Sequence, residues 1–172
     1  MKLRSIALSI FLFAGALCDC VPAYDSGDRS GSITVTLSAG LQAAGSSGPA
    51  SNLVDGASAD NDTDSIFLTS GGTASGAYFR FDFGSRVRIV EATWSQSTSA
   101  SHGTWKWQGC QSAWAGCQDI GTSFTLGGTT AQAQTALAVN GQGFRYYQLL
   151  GVSGTTSSAP WVREITFKRC GC

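Results

Sequence analysis

The stretch "AYFRFDFG", Ala77 to Gly84, alternates Phe79, Phe81 and Phe83 with Tyr78, Arg80 and Asp82. Successive side chains of an extended strand point to opposite faces, so this period of two gathers the three rings on one side and the charged and amphipathic groups on the other. The stretch is a half-buried strand, and its period recurs on both sides of it. Upstream, "SITVTLSAG" from Ser32 sets Ile33, Val35 and Leu37 against Ser and Thr, and "SIFLTS" follows it. Downstream come "VRIVEATWSQ", "TWKWQG", "SFTLGG", "RYYQLLGVSG" and "WVREITFKR", each bounded by Gly, Ser, Asn or Asp clusters that close turns. No window of a dozen residues keeps helical periodicity, although "AQAQTALA" suits a turn or two of helix as well as a strand. About eight short strands predict an all-β fold, an antiparallel jelly-roll β-sandwich.

Composition narrows the function classes. A chain of 172 residues makes one domain with one core. Charged residues are 13% of it, and 11 Lys and Arg balance 11 Asp and Glu. No basic field marks a nucleic-acid partner and no acidic run marks a tail. The amino end, "MKLRSIALSIFLFAGALCDC", has the charged, apolar and small-residue order of a secretory signal, with an apolar run too short to span a bilayer. A second reading stands beside it: an apolar arm that stays on and packs against a neighbouring copy. The organisation expected is therefore residues 1–20 as signal-like segment or retained arm, 21–31 as a polar linker, 32–169 as the sandwich, and 170–172 as a cysteine-bearing tail.

Three blocks resemble the discoidin, or coagulation-factor type C, family of galactose-binding-like jelly rolls: "NLVDGASADNDTD", "GAYFRFDFGSRVRIVEATW" and "FRYYQLLGVSGTTSSAPWVREITFK". The likeness runs from about Ser32 to Lys168. More narrowly, "SHGTWKWQG", "DIGTSFTLGG", "RYYQLLGVSG" and "PWVREITFK" together are similar to a subgroup of bacteriophage virion proteins in tail and other structural components. That resemblance implies a non-enzymatic structural or binding protein that decorates a capsid or tail. Its partners would be other virion proteins, copies of itself and host cell-surface glycan. The alternative is a secreted bacterial lectin-like module with a cleaved signal. The chain departs from the subgroup at its cysteines, which that pattern lacks.

Those six cysteines form three close pairs, Cys18 with Cys20, Cys110 with Cys117 and Cys170 with Cys172. Even number and export favour disulfides. Cys110 and Cys117 enclose "QSAWAG", and facing positions of a hairpin there are within bonding reach. The terminal pairs are expected to join each other, within one chain or between copies; a zinc site of four thiols competes, at a spacing tighter than the usual knuckle.

Asp55, Asp60, Asp62 and Asp64 crowd the loop "DGASADNDTD", and oxygen-rich loops suit Ca2+. Many type C modules hold a structural calcium near this loop, completed by a Glu on the last strand; Asp55, Asp60 and Glu164 match those positions, with Asp62 a substitute. A solvated turn held by Asx hydrogen bonds is the plainer reading.

Among the aromatics, Trp105 and Trp107 share a strand face and read as core. Trp114 sits at the tip of the Cys110–Cys117 hairpin, where an exposed ring can stack on a sugar or seat in a partner's pocket. His102, Gln108, Gln111 and Arg145 are the polar groups expected to accompany it, although His102 also reads as a turn residue bonding locally. No G-x-S-x-G, H-E-x-x-H or P-loop motif is present, and Glu91 and Glu164, the only glutamates, each lie within a strand pattern. The reading is binding without catalysis.

Overall fold

The computed structural model describes residues 21–43, 48–57, 65–135, 137, 141–157 and 161–171. Eight strands occur among them: β1 (Ala23–Tyr24), β2 (Thr34–Leu37), β3 (Tyr78–Gln96), β4 (Ser101–Ser112), β5 (Ala115–Gly127), β6 (Ala131–Thr135), β7 (Phe144–Ser153) and β8 (Val162–Gly171). A short 3-10 helix, Ala50–Val54, is the one helical element of the described residues. Strand pairing is antiparallel throughout, in the order β1-β8-β3-β7-β4-β5, with β2 and β6 also paired to β3.

β3 makes two layers from one hydrogen-bonded sheet. Its first half pairs with β2 and β7, its second half with β6 and β8, and the register shifts between Asp82 and Val87. Gly84 takes a left-handed φ of 69°, and its N–H donates to the Asp82 carboxylate at 2.8 Å. Glycine tolerates that backbone without a Cβ penalty, so the strand turns the corner without ending. "AYFRFDFG" and "VRIVEATWSQ", expected as two strands, are thus one.

The layers close on aromatic rings. Phe79, Phe81 and Phe83 point inward as their alternation requires, and all are buried. Phe79 meets Trp94 and Trp105 at ring-centroid distances of 5.3 Å each; Phe81 meets Phe167 at 5.1 Å, and Phe83 meets Phe167 at 5.2 Å. Burying each ring stabilises the fold by roughly 1.5–3 kcal/mol, with about 0.5–1.5 more for a well-set aromatic pair. Tyr147 staples the bend: its buried hydroxyl donates to the Val87 carbonyl at 2.9 Å and accepts from the N–H groups of Ile89 and Phe144 at 3.3 Å. Burial pushes this phenol up to about 12.

Two expectations change in detail, and one left open is decided. "SIFLTS" forms only isolated bridges, Ile66 to Val162 and Leu68 to Gln42, and "AQAQT", which suits helix and strand alike, is the strand β6. The total of eight strands coincides with the expected number but is differently composed. The stretch expected as linker contributes β1, whose Ala23 and Tyr24 pair with Arg169 and Lys168, and a buried arginine, Arg29. Residues 1–20, with Cys18 and Cys20, and the terminal Cys172 lie outside the described residues. No helix of the described residues is long and apolar enough to cross a membrane.

Candidate binding face

The outer face of the β3-β7-β4-β5 layer carries what the alternation sends away from the core. In register, Arg80 of β3 stands beside Gln148 of β7, Gln148 beside Gln108 of β4, and Gln108 beside Asp119 of β5. The four form one hydrogen-bonded row. Arg80 Nε donates to Gln148 Oε1 at 2.9 Å, Gln148 Nε2 donates to Gln108 Oε1, and Gln108 Nε2 donates to Asp119 Oδ1 at 2.7 Å. Lys106 Nζ closes the row on Asp119 Oδ2 at 2.9 Å. The hydrogen bonds from Gln108 and Lys106 hold the Asp119 carboxyl below its ordinary range, so it stays ionised.

Aromatic rings flank the row. The Arg80 guanidinium lies 3.8 Å from the Tyr78 ring centroid and 4.8 Å from that of Trp114, and Trp114 meets Tyr146 edge-on at 5.3 Å. Cys110 and Cys117 are directly opposed in the β4/β5 ladder and form the disulfide expected of them. Beyond that bond the chain reverses through Ala113 and Trp114, and Trp114 adopts a left-handed φ of 59°. A bulky residue held there costs roughly 1–3 kcal/mol. Trp114 was expected to stand exposed at the hairpin tip. Instead its ring folds back on Arg80 and Tyr146 and is half-buried, because the left-handed turn and the cation–π contact redirect it over the sheet.

The other candidates separate. Gln108 is in the row, Gln111 is exposed on β4 beyond it, and Arg145 is exposed on β7, joined to Asp82 through Nε at 2.7 Å and Nη2 at 2.8 Å. That pair holds the Asp82 carboxyl below its ordinary range. His102 is remote from the face. It is on β4 rather than in a turn, is 0% exposed, and its Nδ1 accepts from the Ser157 N–H at 3.2 Å, a partner distant in sequence. Burial lowers its pKa to about 4. The reason is a bulge: the β4 register shifts between Ser101 and Thr104, with Gly103 at φ 83°, and this turns the imidazole into the core beside Trp94. Arg80, Tyr78, Gln148, Tyr146, Asp119 and Lys106 were not singled out from sequence, since only long-range register brings them together.

The residues proposed for calcium can be tested in part. Glu164 is 4% exposed; Oε1 is ion-paired with Arg29, itself 5% exposed, and Oε2 accepts from the Gly56 N–H at 3.1 Å. Burial lowers the Arg29 pKa, while Asp25 and Asp55 favour its charged form. Asp55 accepts from the Ala57 N–H at 2.9 Å. A divalent cation at Glu164 would face a buried guanidinium, so the described residues do not fit one. Asp60 and Asp62 lie outside the described residues. Cys170 is disulfide-bonded to a partner that also lies outside them.

A cavity of about 250 Å³ opens away from this face, between Ser38, Gly40, Gly72, Ser75, Gly76 and Thr156. Its walls are small side chains and backbone, with no ring to stack on and no charge.

The architecture is a galactose-binding-like β-sandwich. No family model matches the sequence, and no curated protein matches it. Solved structures do match the fold. The family 32 carbohydrate-binding module of NanJ from C. perfringens, solved with galactose, is 12% identical, with 84% of this chain and 98% of that one covered and a TM-score of 0.57. The family 32 module of AlyQ, solved with 4,5-unsaturated mannuronic acid, is 19% identical over 78% of this chain and 92% of that one, TM-score 0.54. Chitosan-binding module 2 of a chitosanase/glucanase from Paenibacillus sp. IK-5, solved with chitotriose, is 17% identical over 81% and 97%, TM-score 0.55. At such identities the likeness is one of fold.

Proposed function

We propose that this protein is a non-catalytic glycan-binding module whose sugar lies across the outer face of the β3-β7-β4-β5 layer. One observation carries the reading: the row Arg80–Gln148–Gln108–Asp119 is fixed in place, bordered by Tyr78, Trp114 and Tyr146, yet keeps hydrogen-bonding capacity to spare. Arg80 spends Nε on Gln148, leaving its Nη donors, and each glutamine amide retains a second N–H. Planar polar groups beside a ring are what a sugar needs, hydroxyls to the amides and C–H face to the aromatic. The plainer account, cross-strand pairs that only stabilise the sheet, does not explain a tryptophan kept in a left-handed turn to cover them. The solved modules of this fold named above, with galactose and chitotriose bound, support the ligand class.

The setting we infer is the surface of a virion, where the module would contact host glycan beside other virion proteins and copies of itself. Support for this comes from the likeness of "SHGTWKWQG", "DIGTSFTLGG", "RYYQLLGVSG" and "PWVREITFK" to phage structural proteins. Mass spectrometry of purified particles against culture supernatant separates this setting from a secreted lectin.

The test of the face is a glycan array followed by calorimetry on Trp114→Gly and Gln108→Ala. Glycine accepts the left-handed turn, so Trp114→Gly should fold as well as the parent while losing glycan binding. Unchanged binding in both variants would overturn the assignment.

A further inference from the structure

Next to Tyr146 a cavity of about 260 Å³ is lined by Arg86, Cys110, Gln111, Gly143, Phe144 and Arg145. It lies at the foot of the disulfide hairpin, and it adjoins the sugar face: the Arg145 guanidinium lies 4.9 Å from the Tyr146 ring centroid, and Tyr146 in turn meets Trp114. The two arginines differ in charge balance. Arg145 is neutralised by Asp82, which takes its Nε and Nη2 and leaves Nη1. Arg86 donates through Nε to the Gly143 carbonyl at 2.7 Å, and no carboxylate of the described residues lies within ion-pair distance of it. A backbone carbonyl orients that guanidinium without cancelling its charge. The cavity therefore holds one uncompensated cation, a further guanidinium N–H and the Gln111 amide. Of the other cations of the face, Lys106 is already paired with Asp119, and Arg80 is held between the Tyr78 and Trp114 rings with its Nε on Gln148, outside this cavity.

We propose that this cavity receives the carboxylate of an acidic sugar, so that the module selects anionic glycans such as uronates or sialates; this rests on the sheet-face reading above. A glycan crossing Trp114 and Tyr146 brings a ring substituent to Arg86, and a guanidinium binds a carboxylate through paired, charge-assisted hydrogen bonds that a neutral hydroxyl cannot match. With net charge zero over the whole chain, the preference comes from this local pair and not from a general field.

Calorimetry on the intact chain with trigalacturonate, 3′-sialyllactose and 3′-sulfated lactose, against neutral chitotriose and lactose, tests it. The carboxylate ligands should bind about tenfold or more tighter than neutral ones at low salt, an advantage that added salt reduces. Arg86→Gln should bring them down to the neutral level without changing neutral binding or the melting temperature; Trp114→Gly should remove both. If acidic ligands bind no tighter, or Arg86→Gln weakens both kinds equally, the inference fails. A preference for the sulfated sugar alone overturns the carboxylate assignment. Neutral binding that persists and depends on Trp114 while the acidic preference is absent leaves the sheet-face reading intact and removes only this one. Neutral binding indifferent to Trp114 removes both.

Discussion

His102 gives the sharpest test of the fold, because it is the only histidine and is buried neutral. Its Nδ1 accepts a hydrogen bond from the Ser157 N–H, so a proton on that nitrogen would set two donors against each other as well as charge a buried ring. Its folded pKa is about 4, lowered by burial. The unfolded chain takes up its proton near about pH 6.5. Between these values the unfolded state binds more protons, so the stability due to this group is fully present above about pH 6.5 and is lost as pH falls toward 4. The full loss is about 3 kcal/mol, and roughly 2 kcal/mol of it is spent between about pH 7.5 and pH 5, before most carboxylates titrate. Urea unfolding across that range should show the midpoint falling with pH. His102→Asn, whose side-chain oxygen can take over the acceptor at Nδ1, should be less stable at neutral pH yet flat over the same window. A parent protein with no slope there, or an Asn variant with the same slope, would refute the buried, neutral assignment.

Three further outcomes are expected. Tyr147→Phe leaves the Val87 carbonyl and the Ile89 and Phe144 N–H groups without their partner and should cost about 2–3 kcal/mol in urea unfolding with the fold retained. Replacing Cys110 and Cys117 with serine opens a short loop, and the chain-entropy relation gives a loss of about 2.5 kcal/mol in thermal unfolding, together with weaker glycan binding as the Trp114 turn loosens. With the Arg29 guanidinium already on Glu164, chelation of divalent cations should leave the melting temperature unchanged, whereas Arg29→Met, which strands a buried carboxylate, should cost roughly 3–5 kcal/mol; a marked rise in melting temperature of the parent on adding calcium would contradict this.

How far the sequence could be read depended on the range over which each feature is set. Alternation in "AYFRFDFG" is local, and it assigns Phe79, Phe81 and Phe83 inward and Arg80 outward without further information. The Cys110–Cys117 bond is also local, since a hairpin across six residues nearly imposes it. The row of Arg80, Gln148, Gln108 and Asp119 is different: each residue belongs to another strand, and their meeting depends on three registers that no single segment encodes. Gln108 was picked out as a polar group to accompany Trp114 and not for the row. His102 was misjudged because "SHG" has turn composition, whereas here the glycine serves a bulge that rotates the imidazole inward. Arg29 escaped notice in a polar stretch because its partner, Glu164, lies at the other end of the chain.

The same local strain and long-range register together explain how a small polar face could bind a sugar at all. Ordering a long side chain on binding costs about 0.5–1.5 kcal/mol each, and four such residues would consume most of what a weak glycan contact supplies. Here Arg80 is already held between two rings and Gln148 is 5% exposed between two hydrogen bonds, while Gln108 and Asp119 fix each other. Their ordering is met during folding, with the Tyr147 staple holding β7 against the bend of β3 and the disulfide holding the hairpin that carries Trp114. Variants that loosen the scaffold without touching the face, Tyr147→Phe among them, should therefore weaken binding through a less favourable entropy with little change in enthalpy, whereas Gln108→Ala should lose enthalpy. Equal thermodynamic signatures for the two would show that the face is not held in advance of its ligand.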